Sequence, residues 1–136
     1  MLIRTASEAD YAAVARIQTA SSEAAQWPLG DYSNFQVLVA WDGTVAAGFC
    51  AWRQTVADEA EMLNLAVAPE YRQRGVGQAL LEQLRGLAEG TIFLEVAERN
   101  AAARRLYEKS GWVGVARRKD YYGIGHDAIV MKNLSC

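Results

Sequence analysis

The sequence predicts an α/β fold built on a mixed sheet. Three observations lead there. Strand-like runs alternate with amphipathic helical stretches, a turn holding two glycines joins one strand directly to one helix, and hairpin-like strand pairs lie toward both ends of the chain. Those hairpins set the pattern apart from a doubly wound dinucleotide fold. With 136 residues, 51% hydrophobic and 22% charged, the chain is expected to form one domain, residues 1–136. It carries enough apolar material for a core without metal or disulfide staples.

Residues 2–4 read as a short strand. Ser7 precedes Asp10 by three positions, a capping-box spacing, and opens a helical stretch over 8–20 with Tyr11, Val14, Ala15 and Ile17 on one face. Gln26-Trp27-Pro28-Leu29-Gly30 interrupts regularity. Strands over 35–41 and 44–53 flank Asp42-Gly43, a strong hairpin signal, and Gly48 is expected to mark a bulge. A strand over 61–67 stops before Pro69. The string Arg72 to Gly77 then runs into a helix covering 78–85, with a buried stripe at 80, 81, 84 and 87 and Gly90 as terminator. A compact strand spans 92–96. Asn100 caps a helix over 101–110 that Gly111 ends, and strands at 113–118 and 128–132 complete the set.

Composition excludes several functions. There are 14 basic and 16 acidic residues, a net charge of -2, so neither nucleic acid nor an anionic membrane is an expected partner. Only Lys109, Lys119 and Lys132 are lysines, which leaves 11 arginines suited to forked phosphate and carboxylate contacts. Cys50 and Cys136 show no paired spacing, so a reduced, cytoplasmic chain is expected. His126 is the sole histidine, and no metal site is expected. No signal peptide or apolar run of membrane-spanning length is read.

The most informative string is Val67-Ala68-Pro69-Glu70-Tyr71-Arg72-Gln73-Arg74-Gly75-Val76-Gly77-Gln78-Ala79-Leu80-Leu81. A strand ends, and a glycine-bearing turn opens a helix whose free N–H groups and dipole favour an anion. Arg72 and Arg74 can add charge-assisted contacts. The Lys-Ser/Thr pair of a Walker loop is missing, and the glycine spacing is not GxGxxG. The string resembles the signature of the GNAT family of N-acetyltransferases, R/Q-x-x-G-x-G/A, here Arg72-Gln73-Arg74-Gly75-Val76-Gly77. The likeness covers nearly the whole chain. The segments 58–67, 94–96, 100–103, 106–108 and 118–122 are further similar to the family's RimI-type, ribosomal-protein-alanine N-acetyltransferase branch.

That resemblance implies a GNAT fold: a mostly antiparallel central sheet flanked by helices, its central strands splayed. It implies acetyl-CoA as co-substrate and no metal. The pyrophosphate would lie on Arg72, Gln73, Arg74, Gly75, Val76, Gly77 and Gln78. Pantetheine would run along Leu65, Ala66 and Val67, with Asn100 also touching the cofactor. Acetyl transfer requires an amine to lose a proton and a thiolate to gain one. An α-amine, with a reference pKa of about 7.7 to 8.0, needs less help from a base than lysine at about 10.4. Glu95 lies in the apolar run Ile92-Phe93-Leu94-Glu95-Val96; alternation leaves open whether it points to solvent, and the resemblance makes it the general base. Tyr107 sits at a helical spacing that also suits core packing, and the resemblance makes it the acid for the leaving thiolate. Asp58, Glu59 and Glu61 form an acidic patch read as attracting a basic N-terminus, and Tyr121 and Tyr122 a loop that closes over the acceptor.

The expected activity is acetyl transfer from acetyl-CoA to the N-terminal alanine of a small-subunit ribosomal protein. Direct attack in a ternary complex is expected, because Cys50 and Cys136 lack the adjacent base a covalent acetyl-enzyme wants. Acetylation of another peptide N-terminus, a lysine or a small amine is the rival within enzymes. A non-catalytic CoA-binding regulatory module is the rival outside them.

Overall fold

The computed structural model describes residues 1–135; Cys136 lies outside them, and with it its expected lack of a neighbouring base. The strands are β1 (Leu2–Thr5), β2 (Gln36–Asp42), β3 (Val45–Val56), β4 (Glu59–Val67), β5 (Thr91–Ala97), β6 (Val113–Arg118) and β7 (Ala128–Leu134). Helix α1 (Tyr11–Thr19) follows β1, α2 (Val76–Leu87) follows β4 and α3 (Ala101–Lys109) follows β5. The described strands form one sheet in the order β1-β2-β3-β4-β5-β7-β6. Every pairing is antiparallel except β4 with β5, which run parallel. The mixed, mostly antiparallel sheet is thus the expected architecture.

The sheet buries a different layer on each face. Leu80, Leu81 and Leu84 of α2 are fully buried on one face, with Ile92, Leu94, Tyr107 and Trp112. Leu87, expected in the same stripe, is exposed, and Ala88, just past the helix end, is the residue buried in that layer. Val14 and Ile17 of α1 cover the other face with Tyr32, Val39, Phe49 and Ala66. Residues 8–10 form a 3₁₀ turn rather than the first turn of α1. The Ser7 N–H and hydroxyl both donate to the Asp10 carboxylate there, at 2.9 and 3.2 Å.

The bulge expected at Gly48 falls at Ala47: Ala40 pairs with Gly48 and Trp41 with Ala46. Gly48 instead admits α2, since a Cβ there would stand 3.0 Å from the Ala66 carbonyl and 3.1 Å from Val76. Gly90 does not terminate α2, which ends at Leu87. It makes the turn into β5, where φ is 80° and the Asp58 backbone passes closely. The segment after Pro28, read as irregular, forms a 3₁₀ helix over Leu29–Asn34.

A second bulge decides the layout of the site. Ala51 pairs with Asn64 but Trp52 with Met62, which leaves Leu63 as an extra residue in β4. Plain alternation would put residues 60, 62, 64 and 66 on one face. The bulge re-aims the strand. Ala60 and Met62 join the α2 layer, whereas Ala66 joins the α1 layer. Leu65 and Val67 accordingly pack toward α2.

Candidate active site

Strands β4 and β5 pair only at Glu59–Thr91, Ala60–Ile92 and Glu61–Phe93. Beyond that point β4 keeps its partner β3 and β5 keeps β7, but the two inner edges separate. The divergence begins after Glu61, next to the Leu63 bulge, and it leaves the β5-facing edge of residues 62–67 unpaired. These are the splayed central strands expected, and Leu65, Ala66 and Val67 line the β4 side.

At the open end of β4 the turn 72–77 delivers α2. Gly75 is the N-cap with φ of 80°, a conformation that a residue bearing Cβ adopts at a cost. No side chain caps this helix. Its bond from the Ala79 N–H to the Gly75 carbonyl, at 3.0 Å, leaves the N–H groups of Val76, Gly77 and Gln78 ahead of the helical ladder. Three open amides, a left-handed glycine and a dipole end suit a pyrophosphate. The arginines of the turn have partners inside the chain. Arg72 donates to the Val67 carbonyl at 3.1 Å and to Ser21 Oγ at 3.3 Å, while the Arg74 guanidinium lies 5.4 Å from the Tyr71 ring centre.

Glu95 and Tyr107 stand on opposite faces of the sheet. Ile92, Leu94 and Val96 of β5 turn into the α2 layer, so alternation sends Glu95 to the opposite face. Its side chain is 26% exposed, with Oε1 3.5 Å from Arg118. Its Oε2 is buried and has no hydrogen-bond partner among the described residues. Tyr107, on α3, is 7% exposed and packs against Trp112. Burial pushes its phenol well above the ordinary tyrosine range, with Cys50 and Tyr122 adding to the effect. Asn100 caps α3 as expected, accepting from the Ala103 N–H at 3.2 Å.

The loop between β6 and β7 carries Tyr121 and Tyr122 to Glu95. Their rings meet edge to face at 5.0 Å. A hydrogen bond to the Glu95 carboxylate, then burial, raises the Tyr121 phenol; burial, then Glu95 and Tyr121, raises that of Tyr122. Tyr122 is thus influenced by Glu95, and Tyr107 by Tyr122. The loop is pinned at its root, where Asp127 accepts from the Asp120 N–H at 2.9 Å and Arg117 bridges Asp127 at 2.9 Å and Glu98 at 2.6 Å.

The acidic patch is divided by the fold. Asp58 is in the β3–β4 turn and Glu59 pairs with Thr91 at the closed end of the cleft. Glu61, within β4, stands where the strands part, 3.4 Å from Arg53 and near Tyr121. Asn64 escaped the sequence reading. It is 5% exposed, and its amide accepts from the Ala25 N–H at 3.2 Å and donates to the Ala25 carbonyl at 2.9 Å. Gln18 and Gln26 secure the same segment, Gln18 donating to the Trp27 carbonyl at 2.9 Å and Gln26 to the Gln18 carbonyl at 2.8 Å. Segment 21–28 is thereby held over β4 on the α1 face. A lone polar residue inside the apolar run Met62 to Val67 was the available signal.

Among family models, that of the acetyltransferase (GNAT) family matches residues 4–112. The chain belongs to the GNAT family of acetyltransferases. Acetyl-CoA is the co-substrate of such enzymes. Among curated proteins, this GNAT chain is 43% identical over 109 residues to the [ribosomal protein bS18]-alanine N-acetyltransferase of Escherichia coli K12, covering 74% of the chain and 70% of that relative. It is 38% identical over 91 residues to N-alpha-acetyltransferase RimI of Mycobacterium tuberculosis, covering 65% and 58%. Among solved structures, the crystal structure of the ribosomal-protein-S18-alanine N-acetyltransferase from Escherichia coli superposes with a TM-score of 0.80 at 31% identity, over 96% of this chain and 91% of that one. Ard1 from Thermoplasma volcanium gives 0.85 at 27% identity, over 99% and 97%. No described helix is long and apolar enough to cross a membrane, and no group of three metal-ligating side chains is found among the described residues.

Proposed function

We propose that this chain, acting as one acetyltransferase domain in the cytoplasm, acetylates the N-terminal alanine α-amine of a small-subunit ribosomal protein. The relatives named for that reaction support the acceptor. What supports the chemistry is a half-buried carboxylate, Glu95 on β5, beside the parting of β4 and β5, and a buried phenol, Tyr107 on α3, on the sheet's other face.

Acetyl-CoA supplies the activated acetyl group. The open amides of Val76, Gly77 and Gln78 receive its pyrophosphate, and the free edge of Leu65, Ala66 and Val67 runs beside its pantetheine arm. The Glu95 carboxylate takes a proton from the incoming α-amine, directly or through one water. Tyr107, held protonated by burial, gives its proton to the departing thiolate and regains one from solvent. Glu61, Tyr121, Tyr122 and segment 21–28 frame the acceptor's N-terminus. Cys50 is fully buried, which pushes its thiol up to about 12. Such a protonated thiol is a poor nucleophile, and this favours direct attack over a covalent acetyl-enzyme.

The test is acetylation of a peptide with an N-terminal alanine, with mass spectrometry locating the acetyl group. Glu95→Gln and Tyr107→Phe are each expected to lower kcat by about 10² to 10⁴ while acetyl-CoA affinity holds. Acetyl on an internal lysine would overturn the acceptor. Unchanged turnover in both variants would overturn the residue roles.

A further inference from the structure

The two oxygens of Glu95 have unequal surroundings. Oε1 faces Arg118 at 3.5 Å, whereas Oε2 is buried without a partner among the described residues. Arg118 comes from β6, two strands away. Ala116 and Glu95 both pair with Val130 of β7, and Arg118 lies two residues beyond Ala116, on the same side of the pleat. Its guanidinium carbon stands 5.4 Å from the Tyr121 ring centre, so the ring and the carboxylate share one arginine.

We propose that Arg118 is a positioning residue: through Oε1 it holds the Glu95 carboxylate in the orientation from which it meets the acceptor amine. The inference rests on the reading of Glu95 as the base. Oε2 is closed off from solvent, and the Tyr121 hydroxyl, whose phenol is raised first by a hydrogen bond to Glu95, stands beside the same carboxylate. Arg118 and Tyr121 together thus fix how the carboxylate faces the cleft. The contact with Arg118 is suited to orienting rather than capturing the carboxylate. At 3.5 Å, with the arginine side chain 56% exposed, it is a loose one-point pair, not the bidentate fork that would occupy both oxygens. Glu61, the other carboxylate near Tyr121, is paired with Arg53 and so leaves Arg118 to Glu95.

The experiment is a double-mutant cycle in kcat, with acetyl-CoA KM as the control. Arg118→Ala is expected to lower kcat about tenfold, a loss of orientation rather than of the base, without moving acetyl-CoA KM. Arg118→Lys, which keeps a charge facing Oε1, is expected to recover part of that loss. In the Glu95→Gln background, Arg118→Ala is expected to change kcat less than about twofold, because its effect runs through the missing carboxylate. An unchanged kcat in Arg118→Ala overturns the proposal, and so does an equal fractional loss in the Glu95→Gln background. Glu95→Gln with full turnover instead removes the base reading itself, a different failure recognised by that single variant.

Discussion

Asn64 should be the side chain on which the acceptor-side segment depends. Replacing it with alanine removes two hydrogen bonds to Ala25, at 3.2 and 2.9 Å. Each is worth about 1 kcal/mol net. The freed Ala25 groups are near solvent and can turn to water, so the expected cost is about 2 kcal/mol. For a chain of this length, with an unfolding entropy near 2.1 cal/mol/K per residue, that lowers Tm by about 7 °C. Asn64→Asp should cost more than alanine, because it places a carboxylate against the Ala25 carbonyl at a site only 5% exposed. Calorimetry gives the Tm, and steady-state kinetics gives the function. The loosened segment 21–28 should raise the acceptor KM severalfold and leave acetyl-CoA KM unchanged, since the amides of α2 are untouched. A Tm within about 2 °C of the parent together with an unaltered acceptor KM would refute the anchoring role.

Gly90→Ala combines a φ of 80° with a Cβ 2.0 Å from the Asp58 carbonyl oxygen, so the β3–β4 turn must shift and the bond from Thr91 to Asp58 with it. Its cost should exceed the 1 to 2 kcal/mol or so of the left-handed backbone alone, seen as a fall in Tm larger than that of Asn64→Ala. Asp127 is held below the usual carboxylate range by the Asp120 N–H first and Arg117 second. Its folded pKa is depressed, so its anchoring of the Tyr121–Tyr122 loop is fully present above the unfolded value of about 3.9 and fades as pH falls through the lower folded one. The Asp120 amide proton shift, followed by NMR, should titrate with a midpoint below that value. A midpoint at or above it contradicts the anchor.

Much of the fold was legible because it depends on local chemistry. Asp42-Gly43 marks the β2–β3 hairpin with Gly43 at φ 61°, Asn100 and Gly111 bracket α3, and Ser7 pairs with Asp10. The Arg72–Gly77 turn announced a helix start with no side-chain cap because glycine positions and helix ends act over a few residues. Other features are set across the sheet. Glu61 and Glu59 are two residues apart, yet one stands where the strands part and the other at the closed end, because the last β4–β5 register falls at Glu61. Arg72 was read as a phosphate contact, but the nearby Val67 carbonyl and Ser21 hydroxyl engage it.

By itself the sequence determined the order of elements and the glycine turn, and its resemblance to the family singled out Glu95 and Tyr107. The tertiary structure decided on which face of the sheet each of them stands. One extra residue at Leu63 re-aims β4 as it parts from β5, so the cleft depends on a register no local pattern encodes. It also gave Asn64 a loop to hold and left Glu95 with one oxygen beside Arg118 and one without a donor. Side-chain identity limits what a residue can do, and its neighbours across the sheet decide which of those things it does.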